Sequence, residues 1–245
     1  MRAIILAAGR GSRMKSLTEK HPKCLVKLDG KSLLDGQINS LKEAGIKKIG
    51  IVTGYKRESL TKKKLKEFYN EHWKNSNMVF SLTHASDWLS KENCIVSYSD
   101  IFYSAQAVRS LIKSTASIAI TYDPNWLELW KQRFYEPLDD AETFRLSSKN
   151  TLLEIGGKPN TINEIQGQYM GLLRFTPNGW SQVIKYLSTI NNKRIDKLQM
   201  TEMLQGMIMN FRVSIKAIPY RGFWGEIDSK EDLKLFQEKL KLNKV

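Results

Sequence analysis

Cysteine is scarce in this chain. There are only two, Cys24 and Cys94, far apart and outside any CxxC spacing, which excludes a disulfide framework and a zinc knuckle. The three histidines, His21, His72 and His84, show no metal-ligand spacing either. Long apolar runs are also missing: the run Ala3 to Ala8 is short and meets Gly9-Arg10-Gly11, so it reads neither as a signal h-region nor as a membrane span. The expectation is a protein of the reducing cytoplasm, neither exported nor in a membrane. Acidic residues are in deficit as well, 25 against 39 Lys and Arg, for a net charge of +14 that points to anionic partners.

What is present is an ordinary globular composition, with 41% hydrophobic and 10% aromatic residues in 245. That length supports one substantial core. Between residues 42 and 74 stand ten Lys/Arg (42, 47, 48, 56, 57, 62, 63, 64, 66, 74) and four acids, close to half the excess charge. Leu60, Leu65, Phe68 and Tyr69 fall at helical spacing behind the lysines, so this stretch reads as a solvated helix face. No nucleic-acid-binding motif accompanies it, and no nucleic-acid or membrane partner is expected.

Short β-rich runs alternate with amphipathic stretches over the first 120 or so residues, the pattern of a parallel sheet covered by helices. Strands are expected at Arg2–Ala8, Ile49–Thr53, Cys94–Tyr98 and Ser117–Tyr122, with helices at Ser32–Ala44, Arg57–Tyr69 and Ala105–Lys113. Phe144–Leu146, Leu152–Ile155 and Gln168–Phe175 read as strands of an inserted or antiparallel portion. Helices at Pro177–Leu187 and Thr201–Asn210, a strand at Val213–Ile218 that Trp224–Asp228 ends, and a helix from Ser229 to Leu240 complete the reading. A single domain follows: a nucleotide-binding half (about 1–122), an acceptor-binding half (about 123–228) and a C-terminal helix (229–245).

The informative stretch is Leu6-Ala7-Ala8-Gly9-Arg10-Gly11-Ser12-Arg13-Met14, where a buried strand enters a glycine-bearing loop that lets backbone N–H groups approach a phosphate. A Rossmann fingerprint would need glycine where Met14 stands, and the P-loop spacing is absent. Instead Arg13 and, further on, Pro22-Lys23 flank the loop with two cations. The loop from Gly9 to about Gly30 is long enough to suggest function. Asp100 and Asp228 each sit just beyond an expected strand end, where open α/β sheets place their ligands.

Ala7-Ala8-Gly9-x-Gly11-Ser12-Arg13, Leu17-Thr18, Pro22-Lys23, Gly54-Tyr55, Ser99-Asp100-Ile101 and Trp224-Gly225-Glu226-Ile227-Asp228 together resemble the nucleotidyltransferase family that activates sugar phosphates and phosphocholine. Among its branches the chain is similar to the small CTP-dependent cytidylyltransferases for phosphocholine, aminoalkylphosphonates or phosphoglutamine. Asn77, Ser81-Leu82, Asp123-x-x-Trp126, Asp140-Ala141-Glu142-Thr143 and Gln168-Tyr169-Met170-Gly171 look most like the phosphoglutamine type. The resemblance implies a Rossmann-like, mostly parallel mixed sheet of the nucleotide-diphospho-sugar transferase type, with a small inserted substrate-binding portion. It implies CTP and a small phosphorylated or phosphonate acceptor as substrates, release of pyrophosphate, and Mg²⁺ held by Asp100 and Asp228. It also allows a homodimer.

By the same resemblance, Lys23 meets the α-phosphate and Arg13 the departing phosphates. Leu6, Ala7, Ala8 and Gly9 offer backbone contacts to the base and ribose, Gly11 belongs to the same nucleotide-binding set, and Asn77 and Ser99 lie near the nucleoside. In-line phosphoryl chemistry needs positioning and charge neutralisation more than a strong base, because a phosphomonoester is already largely ionised at neutral pH. For the acceptor, Trp126, Trp130, Trp180, Tyr169 and Trp224 with Asp139, Asp140 and Glu142 could form an aromatic and acidic pocket for an ammonium group. Trp126, Leu127, Leu129, Trp130 and Phe134 equally have the spacing of a buried helix face. Tyr169 and Glu142 are the residues selected.

Three alternatives compete. A sugar-1-phosphate nucleotidylyltransferase using UTP or dTTP usually carries Gly before the first aspartate and Pro after Pro-Lys, where this chain has Ser99 and Leu25-Val26-Lys27-Leu28. A non-catalytic nucleotide-binding protein has no need of both aspartates. A basic nucleic-acid-binding module predicts affinity that falls steeply with salt.

Overall fold

The structure is a computed structural model that describes residues 1–242, the side chains of residues 15 and 16 excepted. Residues 243–245 of the expected C-terminal segment lie outside the described residues. Seven strands form the main sheet: β1 (Arg2–Ala7), β2 (Lys48–Thr53), β3 (Lys66–Tyr69), β4 (Cys94–Tyr98), β5 (Ile118–Asp123), β6 (Gln168–Phe175) and β7 (Ile215–Pro219). Their spatial order is β7-β5-β6-β4-β1-β2-β3. All neighbours run parallel except β6, which is antiparallel to both β4 and β5. Ile4, Ile5, Val96, Ile118 and Ile120 are fully buried, as central strands covered on both faces require.

The chain leaves β1 towards β2 and β3, then returns to lay β4 on the other side of β1. This reversal is a topological switch point, and the carboxyl ends of β1 and β4 open the crevice where such sheets bind ligands. Helix Leu33–Glu43 packs on Ala105–Ile112, while Pro177–Leu187 packs on Met200–Phe211, which also meets Met78–Thr83. A hairpin of Phe144–Leu146 and Leu152–Ile155 forms the inserted antiparallel portion.

Two expectations need correction. Arg57–Tyr69 is not one helix: Arg57–Lys63 is a 3-10 helix, and Lys66–Tyr69 is β3, the edge strand paired with β2. Lys64, with φ of 51°, breaks the helical path, after which Phe68 is buried under the Lys66 ammonium on one face and Glu67 and Tyr69 lie on the other. The lysines therefore decorate a turn and a sheet edge, where charge discourages pairing with another chain. Nor does Trp224–Asp228 prolong the strand before it. Gly225–Glu226 instead pairs antiparallel with Ile101–Phe102, and the Ile227 N–H donates to the Asp100 carbonyl at 3.0 Å.

Candidate active site

Gly11 adopts φ of 69°, and a Cβ there would fall 2.8 Å from the Lys23 side chain. Glycine is thus needed twice, for the left-handed turn and for the space Lys23 fills. Thr18 ties the loop by donating its hydroxyl hydrogen to the Gly11 carbonyl at 2.9 Å. Gly54 has a similar duty at the end of β2: a Cβ would meet Trp73 at 2.4 Å and the Ala8 carbonyl at 2.7 Å. Across that contact the Tyr55 N–H donates to Ala8.

Lys23, 7% exposed, donates from Nζ to Asp100 Oδ2 at 2.8 Å and to Asp228 Oδ1. Arg13 reaches Asp228 Oδ1 at 3.1 Å from the solvent side. The short Ile101–Phe102/Gly225–Glu226 ribbon brings these carboxylates together, although they are remote in sequence. Glu226 joins them: oxygens of Asp100, Glu226 and Asp228 lie within 4.8 Å of one another. The motif reading passed over Glu226, whose place in the stretch Trp224-Gly225-Glu226-Ile227-Asp228, two residues before Asp228, was the available signal.

Charge balance here is uneven. Burial alone would lower the Lys23 pKa, but the charges of Asp100, Asp228 and Glu226 raise it above the ordinary lysine value. Burial would raise that of Asp228, and Lys23, by charge and by hydrogen bond, with Arg13 and Arg133 behind it, holds it below the usual carboxylate range. Glu226 is left over: burial first, then Asp228 and Asp100, push it up to about 8. Between about pH 4.5 and 8 the folded protein keeps a proton on Glu226 that the unfolded chain has released, so Glu226 lowers stability as pH rises. Melting temperature without divalent metal should therefore be lower at pH 8 than at pH 6, and added Mg²⁺ should narrow the gap. A pH-independent melt measured by scanning fluorimetry would contradict this.

The donor set fits a hard divalent cation. It is all oxygen, Asp100 Oδ1 is buried without a hydrogen-bond partner, and Glu226, crowded by two carboxylates, holds a proton that a cation would displace.

A cavity of about 280 Å³ opens above these groups, lined by Leu6, Ala8, Gly9, Gly11, Arg13, Lys23, Asn77, Ser99, Asp100 and Asp228 of the expected residues. Ala7 is not among them: it is 2% exposed and its side chain packs within the sheet. Ser81, singled out in the sequence, lines the same space, as do Trp73, Ser76 and Met78, which were not foreseen. Asn77 is fixed by the sequence-remote helix Asn192–Lys197, its N–H donating to the Asp196 carbonyl at 2.6 Å and its amide to the Lys197 carbonyl at 3.2 Å. Among the described residues, none of the lysines between 42 and 74 lines the cavity.

A second cavity of about 280 Å³ shares Arg13, Met78, Tyr98 and Asp228 with the first. Tyr169, Glu142, Asp140 and Trp130 line it. Tyr169 stands edge-on to Tyr98 with centroids 5.8 Å apart. Glu142 accepts a hydrogen bond from the Thr201 hydroxyl at 3.2 Å, and its main chain is held by Gln168 at 2.8 Å. Burial raises the pKa of both Asp140 and Glu142. The other aromatics proposed for this pocket serve the core instead. Trp126 donates to the Ile165 carbonyl, Trp180 packs on Phe175, and Trp224 donates to Asp123 at 2.9 Å. Asp139 also lies off the lining.

Residues 3–157 match the family described as the MobA-like NTP transferase domain. Over 98% of its length the chain is 37% identical to the whole CTP:phosphoglutamine cytidylyltransferase of Campylobacter jejuni. It is 41% identical to the choline-phosphate cytidylyltransferase of Streptococcus pneumoniae over 40% of this chain and 42% of that one. Among solved structures, the inositol-1-phosphate CTP transferase of T. maritima superimposes with a TM-score of 0.77 over 98% of this chain and 96% of that one, at 19% identity, a likeness of fold.

Proposed function

Because the chain belongs to the MobA-like NTP transferase family, and so is a nucleotidyltransferase, we propose that it transfers CMP from CTP to a small phosphorylated acceptor of the phosphoglutamine type. The observation that carries this reading is the pair of cavities meeting at Arg13 and Asp228, directly over the carboxylates. The near full-length identity to a phosphoglutamine enzyme favours that acceptor over phosphocholine, whose enzyme matches only part of the chain.

An acceptor phosphate oxygen attacks the α-phosphorus of CTP, a P–O–P bond forms, and the bond to the α,β-bridging oxygen breaks with its electron pair leaving on pyrophosphate. Asp100, Glu226 and Asp228 are the groups that would hold Mg²⁺, which when bound neutralises phosphate charge. Lys23 supplies fixed positive charge at the floor of the nucleotide cavity, and Arg13 supplies it at the junction of the two cavities. Asp140 and Glu142 give the second cavity a negative wall suited to an acceptor ammonium, with Tyr169 beside it. The whole chain acts as one catalytic unit.

Pyrophosphate release should be measured over four nucleoside triphosphates against phosphoglutamine, phosphocholine, aminoethylphosphonate and glucose 1-phosphate. Turnover with CTP and an amine-bearing acceptor is expected; activity confined to the hexose phosphate with UTP or dTTP would refute the reading. Glu142→Gln should raise KM for the acceptor about tenfold, the size expected when a charged hydrogen-bond partner is lost, with KM for CTP unchanged. An equal rise in both constants would remove Glu142 from the acceptor site.

A further inference from the structure

Directly after Asp228 the chain turns into the helix Lys230–Leu242, and the third residue of that helix, Asp232, is 5% exposed. One of its oxygens, Oδ2, accepts the N–H groups of Asp228 at 2.9 Å and Ser229 at 3.0 Å. Its own N–H donates to Ser229 Oγ at 3.0 Å, completing a reciprocal cap. A cap would require nothing more, yet Oδ1 accepts from Arg133 Nε at 2.8 Å and Oδ2 accepts in addition from Arg133 Nη2 at 3.4 Å. Arg133 has a fully buried side chain, its guanidinium lying against the rings of Trp130 and Phe134 at 5.1 and 5.0 Å. Its two terminal nitrogens stand 3.8 Å from carboxylate oxygens of Glu226 and Asp228, just beyond hydrogen-bonding reach, and Nη1 has no hydrogen-bond partner.

We infer that Asp232 is a positioning residue of the carboxylate centre: it pins the Asp228 main chain with one oxygen and, gripping Arg133 with both, keeps the guanidinium from closing on Glu226 and Asp228. An unneutralised guanidinium so near two carboxylates would otherwise pair with them and compete for the oxygens a divalent cation needs. The inference rests on the reading of Asp100, Glu226 and Asp228 as a cation site. Asp232→Asn keeps shape and an acceptor for the two N–H groups but removes the charge that restrains Arg133.

The test is Mn²⁺ binding to the nucleotide-free protein, followed by the electron paramagnetic resonance of free Mn²⁺, beside melting curves. Asp232→Asn should weaken Mn²⁺ affinity about tenfold, the low end for partners that orient metal ligands, and raise the Mg²⁺ concentration for half-maximal turnover, with KM for CTP unchanged at saturating metal. Ser229→Ala, which loses the helix cap but not the Arg133 restraint, should melt earlier and bind Mn²⁺ as the parent does. Native affinity in Asp232→Asn, or an equal loss in Ser229→Ala, would overturn the inference. Asp228→Asn is run in parallel: should it also bind Mn²⁺ normally, the cation site itself is wrong, whereas a loss there alone leaves the site standing and removes only the role of Asp232.

Discussion

Asp228→Asn should lose about 10³-fold or more in turnover while remaining folded. A metal held by carboxylates contributes several kcal/mol of charge stabilisation in phosphoryl transfer, and about 4 kcal/mol corresponds to that factor. Asp228 is placed to matter most because it is 7% exposed, lies at the junction of both cavities, and is the carboxylate that Lys23, Arg13 and Arg133 all approach. Asparagine preserves its shape and leaves the main-chain bond to Asp232 intact. Pyrophosphate release at saturating CTP and acceptor, titrated with Mg²⁺, measures the loss, and circular dichroism checks the fold. A rate within tenfold of the parent would show that the cation, if bound, is held elsewhere.

Lys23→Met is the companion case, and its signature is different. Removing fixed positive charge from the reaction centre should cost about 10²–10³ in kcat. The substitution also leaves Asp100, Asp228 and Glu226 crowded without their ammonium, so the metal-free protein should lose about 3–5 kcal/mol of stability, as when one partner of a buried ion pair is removed. Because the ammonium occupies oxygens that a cation would use, Mg²⁺ should bind the variant more tightly and restore its stability without restoring its rate. Chemical denaturation with and without Mg²⁺, set against kcat, separates these effects. If Mg²⁺ restored the rate as well, Lys23 would serve only as a stand-in for the metal.

In the parent protein this ion cluster persists across the neutral range. The raised pKa of Lys23 contributes stability that is complete below the unfolded lysine value and lost only as pH climbs through the folded one. The lowered pKa of Asp228 contributes above the unfolded carboxylate value and is lost only as pH falls through its own.

Much of this site was readable from the chain because its parts are local punctuation on a parallel sheet. Gly9 and Gly11 follow a buried strand, Asp100 follows another, and both ends face the same crevice. Glu226 was harder because a two-residue strand leaves almost no periodic signal. Arg133 and Asp232 were out of reach for another reason: one lies on a helix whose spacing announces only a buried face, the other looks like a routine cap, and their pairing exists only in three dimensions. The tryptophans misled in the opposite direction. Trp126, Trp180 and Trp224 suggested a cage, but a large ring is most often spent on packing, and here each is. The lysine run failed on period: four apolar residues at helical spacing could not show that Lys64 would adopt a left-handed backbone and start a strand.

The ribbon that joins Ile101–Phe102 to Gly225–Glu226 also sets a schedule for the living chain. On the ribosome, β1 to β4 can form their parallel core while Asp100 still lacks its partners, for Glu226 and Asp228 have yet to be synthesised. Until that late segment emerges and pairs, Lys23 has Asp100 alone of its two carboxylate partners to meet. A nascent chain therefore acquires its glycine loop early and its carboxylate cluster last, and one that stops short of Glu226 has every strand of the main sheet without that cluster.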